Sequence, residues 1–485
     1  MVDLGPRLTG NTAHRQWIDE IEADFQSLGM TTSRDHYTFT RWEAESWGLE
    51  VLEGSAAGPK PVSSYFPYSG GTHPAGLDAP LVYIGPAPLP SISGNPLDLY
   101  TNRWALERWR AELATDVRSS AAAIPGGVAG RIVLMDATVP PLMAEDFYPF
   151  VTYADPKIQI THDYKRIWIV GAYIQNILTE LVSLGAAGAV FAMDASAANA
   201  AGQYTPYALP VFGIPALYVD RDTGTSLRAA AGSTPKTRLT LVSHTNQKAP
   251  TDDLVAIMPG DGSTDEVMVL NTHTDGQNAF EENGGVALRM AAHYFHALGP
   301  AARKRTLVFN LFSGHFGDGS LPQAQGFVNQ HPDLVARAAA SFTAEHFGAT
   351  EWLDDARGYY PTGKAAFGSC WHSQTPIAIP LVETMRAEKL SQQVAIRPIG
   401  DFMIAVGGPL HKAGIPTLSY ITGPNYLVSI ERDGHLDKLD PVFYRTEVIW
   451  MLDTIQRLDK IPAAVLKAGD TEVWANDGGA LKNYP

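Results

Sequence analysis

The stretch that most constrains the fold runs from Val267 to Met290 and reads VMVLNTHTDGQNAFEENGGVALRM. It opens on four consecutive apolar residues, a pattern typical of a strand that is buried on both faces of a parallel sheet. Ionisable side chains follow this strand at once, and Gly284 and Gly285 then open an apolar helical run. This order predicts an α/β protein in which helices cover a mostly parallel central sheet.

Four ionisable side chains lie in the turn between that strand and the helix: His273, Asp275, Glu281 and Glu282. Because ligands bind outside the carboxyl ends of the strands in open α/β sheets, we expect all four to face one crevice. An imidazole that binds a metal usually gives its other N–H to a carboxylate, which suits His273 as ligand and Asp275 as its partner. The residues alone leave a second interpretation open, in which the histidine is hydrogen-bonded in a loop and the glutamates are solvated first-turn residues.

The order THTDG, then AFEENGG, then an apolar helix resembles the two-zinc aminopeptidase family, which includes secreted bacterial leucyl aminopeptidases and glutamate carboxypeptidase. That family carries a His-x-Asp, a bridging acidic residue, a Glu-Glu pair, a later Asp and a final His. The stretch Arg7-Leu8-Thr9-Gly10 is similar to the family's Arg-x-x-Gly entry. The resemblance implies a zinc-dependent peptidase in which His273 is a ligand and Glu281 is the bridging carboxylate.

A second apolar strand is predicted over residues 306–312, and the turn SGHFGDGS follows it. The resembled family has its Glu-Glu pair here, the first as general base and the second as zinc ligand. Alignment on the glycine two positions after the histidine places Gly314 at the base and His315 at the ligand, whereas alignment on the final Gly-Ser shifts the register by one. Imidazole is a competent zinc ligand and glycine is not, which favours the first alignment. Glu282 and Asp318 are then the nearest carboxylates that could replace the missing base.

Two later segments resemble the remaining ligand positions of the family. A strand predicted over residues 338–344 ends at Glu345, where the family has a metal-binding Asp, and His346 is interpreted as an ordinary neighbour. The segment GHLDKLD resembles the closing motif and makes His435 the last ligand, with His411 as the fallback.

The resemblance thus implies a cluster of two zinc ions. Its predicted ligands are His273 and Glu345 on one ion, His315 and His435 on the other, and Glu281 between them. Its predicted catalytic residues are Asp275 behind His273, together with Glu282 and Asp318 as stand-ins for the base.

An inserted, small β-rich domain is predicted over residues 79–232, between two parts of the hydrolase domain at 1–78 and 233–485. Short strands are expected at PLVYIG, GRIVLMDA, AAGAVFAMD and PVFGIPALYVD, with a helix between Gly171 and Leu184. This order resembles the protease-associated domain, which shapes substrate access, although a generic small α/β insert would produce the same pattern.

Composition narrows the function further. The chain has 485 residues, 45% of them hydrophobic, and a formal net charge of -15, so binding to nucleic acid or to an anionic membrane is not expected. The single Cys370 leaves histidine and carboxylates as the metal ligands. No signal segment opens the sequence, which predicts a cytoplasmic protein or a mature secreted form. The tail after Gly469 is expected to be loose.

These observations predict a metal-dependent amide or peptide hydrolase with exopeptidase-like access, acting on a small peptide or amide. Two alternatives remain open: a binding protein that has lost catalysis, favoured by the missing Glu-Glu pair, and an acyl transferase that resembles glutaminyl cyclase and uses one zinc. Metal content distinguishes the three.

Overall fold

A computed structural model describes residues 1–88, 103–139, 150–154, 165–204, 209–431 and 433–468. The tail after Gly469 lies outside these residues. Within them, no helix has both the length and the apolar character needed to cross a lipid bilayer.

The strands are numbered here in chain order. They are β1 (Thr31–Val51), β2 (Gly58–Lys60), β3 (Ser64–Tyr65), β4 (Leu77–Pro86), β5 (Ile132–Ala137), β6 (Val151–Ala154), β7 (Gly188–Met193), β8 (Ala216–Val219), β9 (Lys236–Met258), β10 (Val267–His273), β11 (Thr306–Phe312), β12 (Ala338–Ala344), β13 (Thr350–Asp355), β14 (Gly358–Ala365), β15 (Gly368–His372), β16 (Gln393–Ile396) and β17 (Thr417–Thr422).

Helices cover both faces of the larger sheet. They are α1 (Thr12–Ser27), α2 (Arg103–Ala122), α3 (Gly171–Ser183), α4 (Ala197–Ala200), α5 (Arg221–Ala231), α6 (Gly284–Leu298), α7 (Ala324–Gln330), α8 (Pro332–Arg337), α9 (Thr375–Ala387), α10 (Gly408–Lys412), α11 (Pro441–Lys460) and α12 (Ala463–Leu466). Short 3-10 turns cover Val2–Leu4, Ile167–Val170, Pro300–Ala302 and Leu436–Lys438.

The central sheet has the order β9-β11-β10-β12-β17-β15-β16-β6. Its middle strands β11, β10, β12 and β17 are parallel, and antiparallel strands flank them on both sides. Every residue of β10 and β12 is buried, as expected for strands with helices on both faces. The predicted α/β fold with a mostly parallel central sheet is therefore confirmed.

A long antiparallel ribbon joins this sheet to a smaller one. β1 and β9 pair from Thr31 opposite Ile257 to Val51 opposite Thr237. The end of β9 pairs with β11 in the central sheet, whereas its start pairs with β4 in the small sheet. From the sequence, the short apolar run LVAI at residues 254–257 predicts a strand, and the rest of the ribbon was not predicted.

The inserted segment is an α/β unit. β4, β5, β7 and β8 form a parallel sheet, to which β3 adds an antiparallel edge. The four expected strands and the helix α3 are present, but helices α2 and α5 were not predicted. The division at residues 79 and 232 stays a prediction, as does the protease-associated character of the insert.

Apolar side chains from the helices fill one face of the central sheet. Asn11 caps α1 through its side-chain oxygen, which accepts a hydrogen bond from the backbone N–H of His14 at 2.7 Å. Trp17 and Phe25 of this helix, Phe295 of α6 and Trp450 of α11 are buried in that core. The close packing of these helices fixes the positions of the strands, and therefore of the strand ends.

Candidate metal centre

The site lies where three adjacent parallel strands end. β10 ends at His273, β11 is followed by the turn that carries His315, and β12 is followed by Glu345 and His346. Since β10 pairs with β11 on one side and β12 on the other, their carboxyl ends meet at the same edge of the sheet. Glu281 reaches the same place from the residues just before α6, and its side chain is fully buried.

The nitrogen and oxygen atoms of these five residues converge. Nε2 of His346 lies 3.4 Å from Oε2 of Glu281 and 3.9 Å from Oε2 of Glu345. Nε2 of His273 lies 3.7 Å from Oε2 of Glu345, and Nε2 of His315 lies 3.7 Å from Oε1 of Glu281. Two ligands on one tetrahedral zinc ion, each bonded at about 2.0–2.2 Å, stand roughly 3.3–3.6 Å apart. The separations are close to those that a shared ion requires.

Several of these atoms have no hydrogen-bond partner among the described residues. They are Nε2 of His273, Nε2 of His346 and both carboxylate oxygens of Glu281, all of them buried. Buried polar atoms are normally hydrogen-bonded, and groups of orphaned atoms facing one point call for an explanation. A cation among them satisfies all four, so the donor set fits a metal ion.

Hydrogen bonds on the far sides of the ligands fix their orientation. Nδ1 of His273 lies 2.8 Å from the carbonyl oxygen of Asp275, and Nδ1 of His346 lies 2.6 Å from the carbonyl oxygen of Thr422. A carbonyl can only accept, so Nδ1 carries the proton in both rings and Nε2 presents its lone pair to the cluster. Oε1 of Glu345 accepts a hydrogen bond from the backbone N–H of Val406 at 2.8 Å, which leaves Oε2 facing the imidazoles.

Burial shapes the protonation of the metal-free cluster. It raises the pKa of Glu345 to about 8, partly offset by the Val406 N–H, and it lowers the pKa of His346 to about 3. The pKa of Glu281 is raised well above its ordinary value by burial first and then by Glu345, Glu282 and Asp275. Burial therefore favours the neutral imidazoles, the form that binds a metal.

The carboxylate of Asp275 contacts the neighbouring turn more closely than it contacts His273. Its Oδ2 accepts hydrogen bonds from the hydroxyl of Thr9 and from the backbone N–H groups of Gly314 and Phe316, the latter two at 3.1 Å. Its Oδ1 is 3.8 Å from Nδ1 of His273, which is too far for a hydrogen bond. The carbonyl group of Asp275, rather than the predicted carboxylate, thus orients His273.

The turn after β11 leaves no room for the base of the resembled family. Gly314 has a φ of 98°, and a Cβ atom there would lie 2.6 Å from Cβ of Leu321. A glutamate at this position is obstructed both by its backbone conformation and by its neighbour. Asp253 holds the start of the turn, because its Oδ1 accepts from the backbone N–H of Ser313 at 2.8 Å.

The structure does not bring the two predicted stand-ins for the base into the cluster. Glu282 is fully buried and forms an ion pair with Arg7; burial raises its pKa to about 7 although Arg7 opposes the shift. Asp318 accepts hydrogen bonds from the backbone N–H groups of Thr40 at 2.9 Å and Ser320 at 3.0 Å. Asp318 thus stabilises a turn. The positions of Glu282 and Asp318 do not support a catalytic role for either residue.

The predicted last ligand also lies elsewhere. His435 has its Nε2 hydrogen-bonded to Ser429 and belongs to a separate group with Asp433 and Asp437. The fallback His411 is bonded to Ser373 at 3.1 Å and to the carbonyl oxygen of Gly400 at 3.1 Å. Neither placement supports the role that the sequence motif suggested.

His346, interpreted from the sequence as an ordinary neighbour of Glu345, lies in the cluster where His435 was predicted. Its backbone adopts a φ of 57°, so it does not follow the alternation of a strand. A histidine directly after a carboxylate at a strand end was the only signal in the sequence. Two candidate ligand groups result, His273 with Glu281 and His315, and His273 with Glu345 and His346.

Among the five residues of the cluster, His315 alone reaches the surface, with 16% of its side chain exposed. Its ring lies 5.1 Å from that of Phe316 and 4.4 Å from that of His273. Two hydrogen bonds connect the inserted segment to the neighbouring loops. The backbone N–H of Leu209 donates to the carbonyl of Gly317 at 3.1 Å, and Tyr204 accepts from Gln277 at 3.5 Å.

No family model and no curated protein matches this sequence. Solved structures do match over nearly the whole chain. A peptidase M28 precursor from Shewanella amazonensis SB2B has a TM-score of 0.63 and 16% identity, covering 95% of this chain and 91% of that chain. The zinc aminopeptidase BSAP from Bacillus subtilis has a TM-score of 0.58 and 14% identity, covering 95% and 93%. The aminopeptidase from Aneurinibacillus sp. strain AM-1 has a TM-score of 0.55 and 13% identity, covering 94% and 91%.

At such identities the likeness shows the fold alone. It confirms the aminopeptidase-like α/β fold that the sequence predicted.

Proposed function

We propose that the protein is a metal-dependent hydrolase of amide or peptide bonds. The observation that carries this proposal is the cluster of three imidazoles and two carboxylates at the strand ends, in which buried atoms of His273, His346 and Glu281 have no hydrogen-bond partner among the described residues. Its fold neighbours include zinc aminopeptidases, which supports the same reaction class.

One ion position is well provided with ligands. Nε2 of His273, Oε2 of Glu345 and Nε2 of His346 would hold it, with Oε2 of Glu345 lying 3.7 Å from His273 and 3.9 Å from His346, and Oε2 of Glu281, 3.4 Å from Nε2 of His346, would be a fourth ligand. A second position, beside His315 and Oε1 of Glu281, has only these two ligands among the described residues once His273 is assigned to the first. The mixture of imidazole and carboxylate favours zinc at the first position. A second ion, as the resemblance implies, would be held more weakly.

A bound zinc ion polarises a carbonyl group and makes its water more acidic. The residues of the chain supply the rest. His315 lines the approach, and Glu281 is the carboxylate that remains to accept a proton, because Glu282 is engaged by Arg7 and Gly314 has no side chain. Since Glu281 would also bind the ion, turnover should be about 10²- to 10⁴-fold below that of an enzyme with a dedicated base.

The proposed substrate is a small peptide or amide. Tyr204 and Leu209 of the inserted segment contact loops beside the cluster, and we infer that these contacts narrow the approach to it. A narrow approach suits the end of a peptide better than the middle of a folded chain, so exopeptidase activity is the preferred form of the proposal.

The experiment combines metal analysis with an amidase assay. Purified protein is dialysed against zinc, analysed for bound metal, and assayed on a panel of aminoacyl p-nitroanilides with and without chelator. We expect His273→Ala and His346→Ala to lose both the ion and hydrolysis. His296→Ala, which changes an exposed histidine of α6, should retain both. Protein that carries no metal and hydrolyses none of the panel would contradict the proposal.

The obstructed base position at Gly314 favours the binding-protein alternative as the second candidate. It predicts bound metal and retained binding of a peptide, with no hydrolysis after prolonged incubation. Release of ammonia from peptides with an N-terminal glutamine would favour the acyl-transfer alternative instead.

A further inference from the structure

An N-terminal segment, residues 7–14, lies against the loop that connects two of the candidate ligands. This loop, residues 274–280, runs between His273 at the end of β10 and Glu281 before α6. The backbones of the two segments form an antiparallel bridge at Arg7 and Gly276, with hydrogen bonds of 2.8 and 3.0 Å. Contacts therefore join parts of the chain that are far apart in sequence.

Arg7 makes the most extensive of the side-chain contacts. It is 1% exposed, and its guanidinium donates to the carboxylate of Glu282 and, at 2.6 Å, to the carbonyl oxygen of Asn278. A buried charge of this kind is tolerated only when its donors are satisfied by well-placed acceptors. The ion pair of Arg7 with Glu282 connects the residue directly after Glu281 to the N-terminal segment.

Thr9 makes a second contact at the other end of the loop. Its hydroxyl donates to Oδ2 of Asp275, the same oxygen that accepts from Gly314 and Phe316. Asp275 also supplies the carbonyl group that orients His273. Thr9 is 2% exposed, so this hydrogen bond is shielded from water.

His14 makes a third contact, from the first turn of α1. Its Nδ1 accepts a hydrogen bond from the backbone N–H of Gly10 at 3.0 Å, so the proton of the neutral ring is on Nε2. That N–H donates to the hydroxyl of Thr274 at 2.8 Å, and this hydroxyl in turn donates to the carbonyl oxygen of Phe312. The contact reaches the residue immediately after His273.

We propose that residues 7–14 form a clamp that positions the metal ligands, with Arg7, Thr9 and His14 as positioning residues. Thr9 and His14 hold the start of the loop and Arg7 holds its middle and end, and together they fix the separation of His273 from Glu281. None of the three side chains belongs to the candidate ligand groups. This inference rests on the proposed metal site, but it concerns binding of the ion rather than turnover.

Thr9 provides the sharpest test, because valine has nearly the same shape and lacks the hydroxyl. Co²⁺ is titrated into metal-free protein, its affinity is measured by competition with a chromophoric chelator, and the visible absorption spectrum reports the ligand geometry. We expect Thr9→Val to weaken Co²⁺ binding about 10- to 100-fold and to shift the spectrum. Thr9→Ser, which restores the hydroxyl, should recover both.

Arg7→Met with Glu282→Gln gives a second test, since it removes the ion pair without leaving a lone buried charge. It should weaken Co²⁺ binding by a similar factor. The control is Arg34→Ala, which breaks an ion-pair network with Asp19, Glu22 and Asp252 and does not touch the loop. This control should change the melting temperature without changing Co²⁺ affinity.

The outcomes separate the two proposals. Equal Co²⁺ affinity and an unchanged spectrum in Thr9→Val would overturn the clamp while leaving the metal site in place. A wild-type protein that binds no Co²⁺ would overturn the metal site, and the clamp with it.

Discussion

Nε2 of His346 lies 3.4 Å from Oε2 of Glu281, although the two residues are 65 positions apart in the sequence and neither atom has a hydrogen-bond partner among the described residues. This pair distinguishes the site from the one that the sequence motif implied, in which a histidine near the C-terminus completes the ligands. The first test therefore compares these two histidines.

His346→Ala should lose the bound ion, whereas His435→Ala should retain it, because His435 is hydrogen-bonded to Ser429 outside the cluster. Metal content after dialysis against a defined zinc concentration measures the difference, with circular dichroism to verify folding. Loss of the ion in His435→Ala alone would restore the motif-based ligand set.

Chelation should lower the thermal stability. An ion that binds only the folded protein contributes about 2.7 kcal/mol when its concentration is 100 times its Kd. In scanning calorimetry, the wild-type protein should melt at a higher temperature with zinc than with a chelator. The double variant His273→Ala, Glu281→Ala should melt at the same temperature under both conditions. Equal melting temperatures of wild type under both conditions would contradict a buried ion.

Gly314→Ala should destabilise the protein more than Gly54→Ala does. Both glycines have positive φ values, so each substitution carries the strain of a left-handed backbone, about 1–2 kcal/mol. Only at Gly314 would the added Cβ also meet Leu321, whereas Gly54 has no atom within 4 Å of that position. The extra overpacking should amount to about 1–3 kcal/mol by urea unfolding. Equal losses for the two variants would show that the turn yields to accommodate a side chain.

Glu447 predicts a dependence of stability on pH. Burial raises its pKa from the ordinary value of 4.5 to about 7, although the backbone N–H of Gly348 donates to it. Between these two pH values the folded protein holds a proton that the unfolded chain has released. The resulting contribution to the free energy of unfolding is fully present below about pH 4.5 and is lost as the pH rises through about 7. The loss is at most about 3 kcal/mol.

Glu447→Gln keeps an acceptor for Gly348 and has no proton to release. Its stability relative to wild type should increase from pH 5 to pH 8, measured by urea unfolding at each pH. Glu383→Gln, on the exposed side of α9, is the control and should show no such trend. A difference between Glu447→Gln and wild type that does not change with pH would contradict the assignment.

The sequence predicted the central strands β10, β11 and β12 because apolar residues predominate in each, and their shared edge then brought His273, His315, Glu281 and Glu345 together. It could not predict His346. Consecutive strand residues point to opposite faces, so a neighbour of Glu345 is expected to turn away from the site. The left-handed backbone of His346 breaks this alternation, and its occurrence depends on tertiary contacts.

The ribbon of β1 and β9 was missed for a different reason. Many of its residues are half-buried or exposed, in a sequence such as TTSRDHYTFTRWEAES, so neither a continuous apolar run nor a strict alternation marks it. Helices α2 and α5 were not predicted, because short apolar strands dominate the pattern of the insert.

The ribbon also has a consequence for how the chain folds. Its pairing of Val51 with Thr237 closes a loop that contains the whole inserted segment, residues 79–232. The entropy lost on closing a loop grows only with the logarithm of its length, so a preformed compact insert, whose ends are already close, would reduce that loss. β9 follows the insert in the chain and is also the partner of β11, and such long-range pairings slow folding. Folding of the insert is therefore expected to precede completion of the central sheet, and a destabilised insert should lower the yield of folded protein even when every metal ligand is intact.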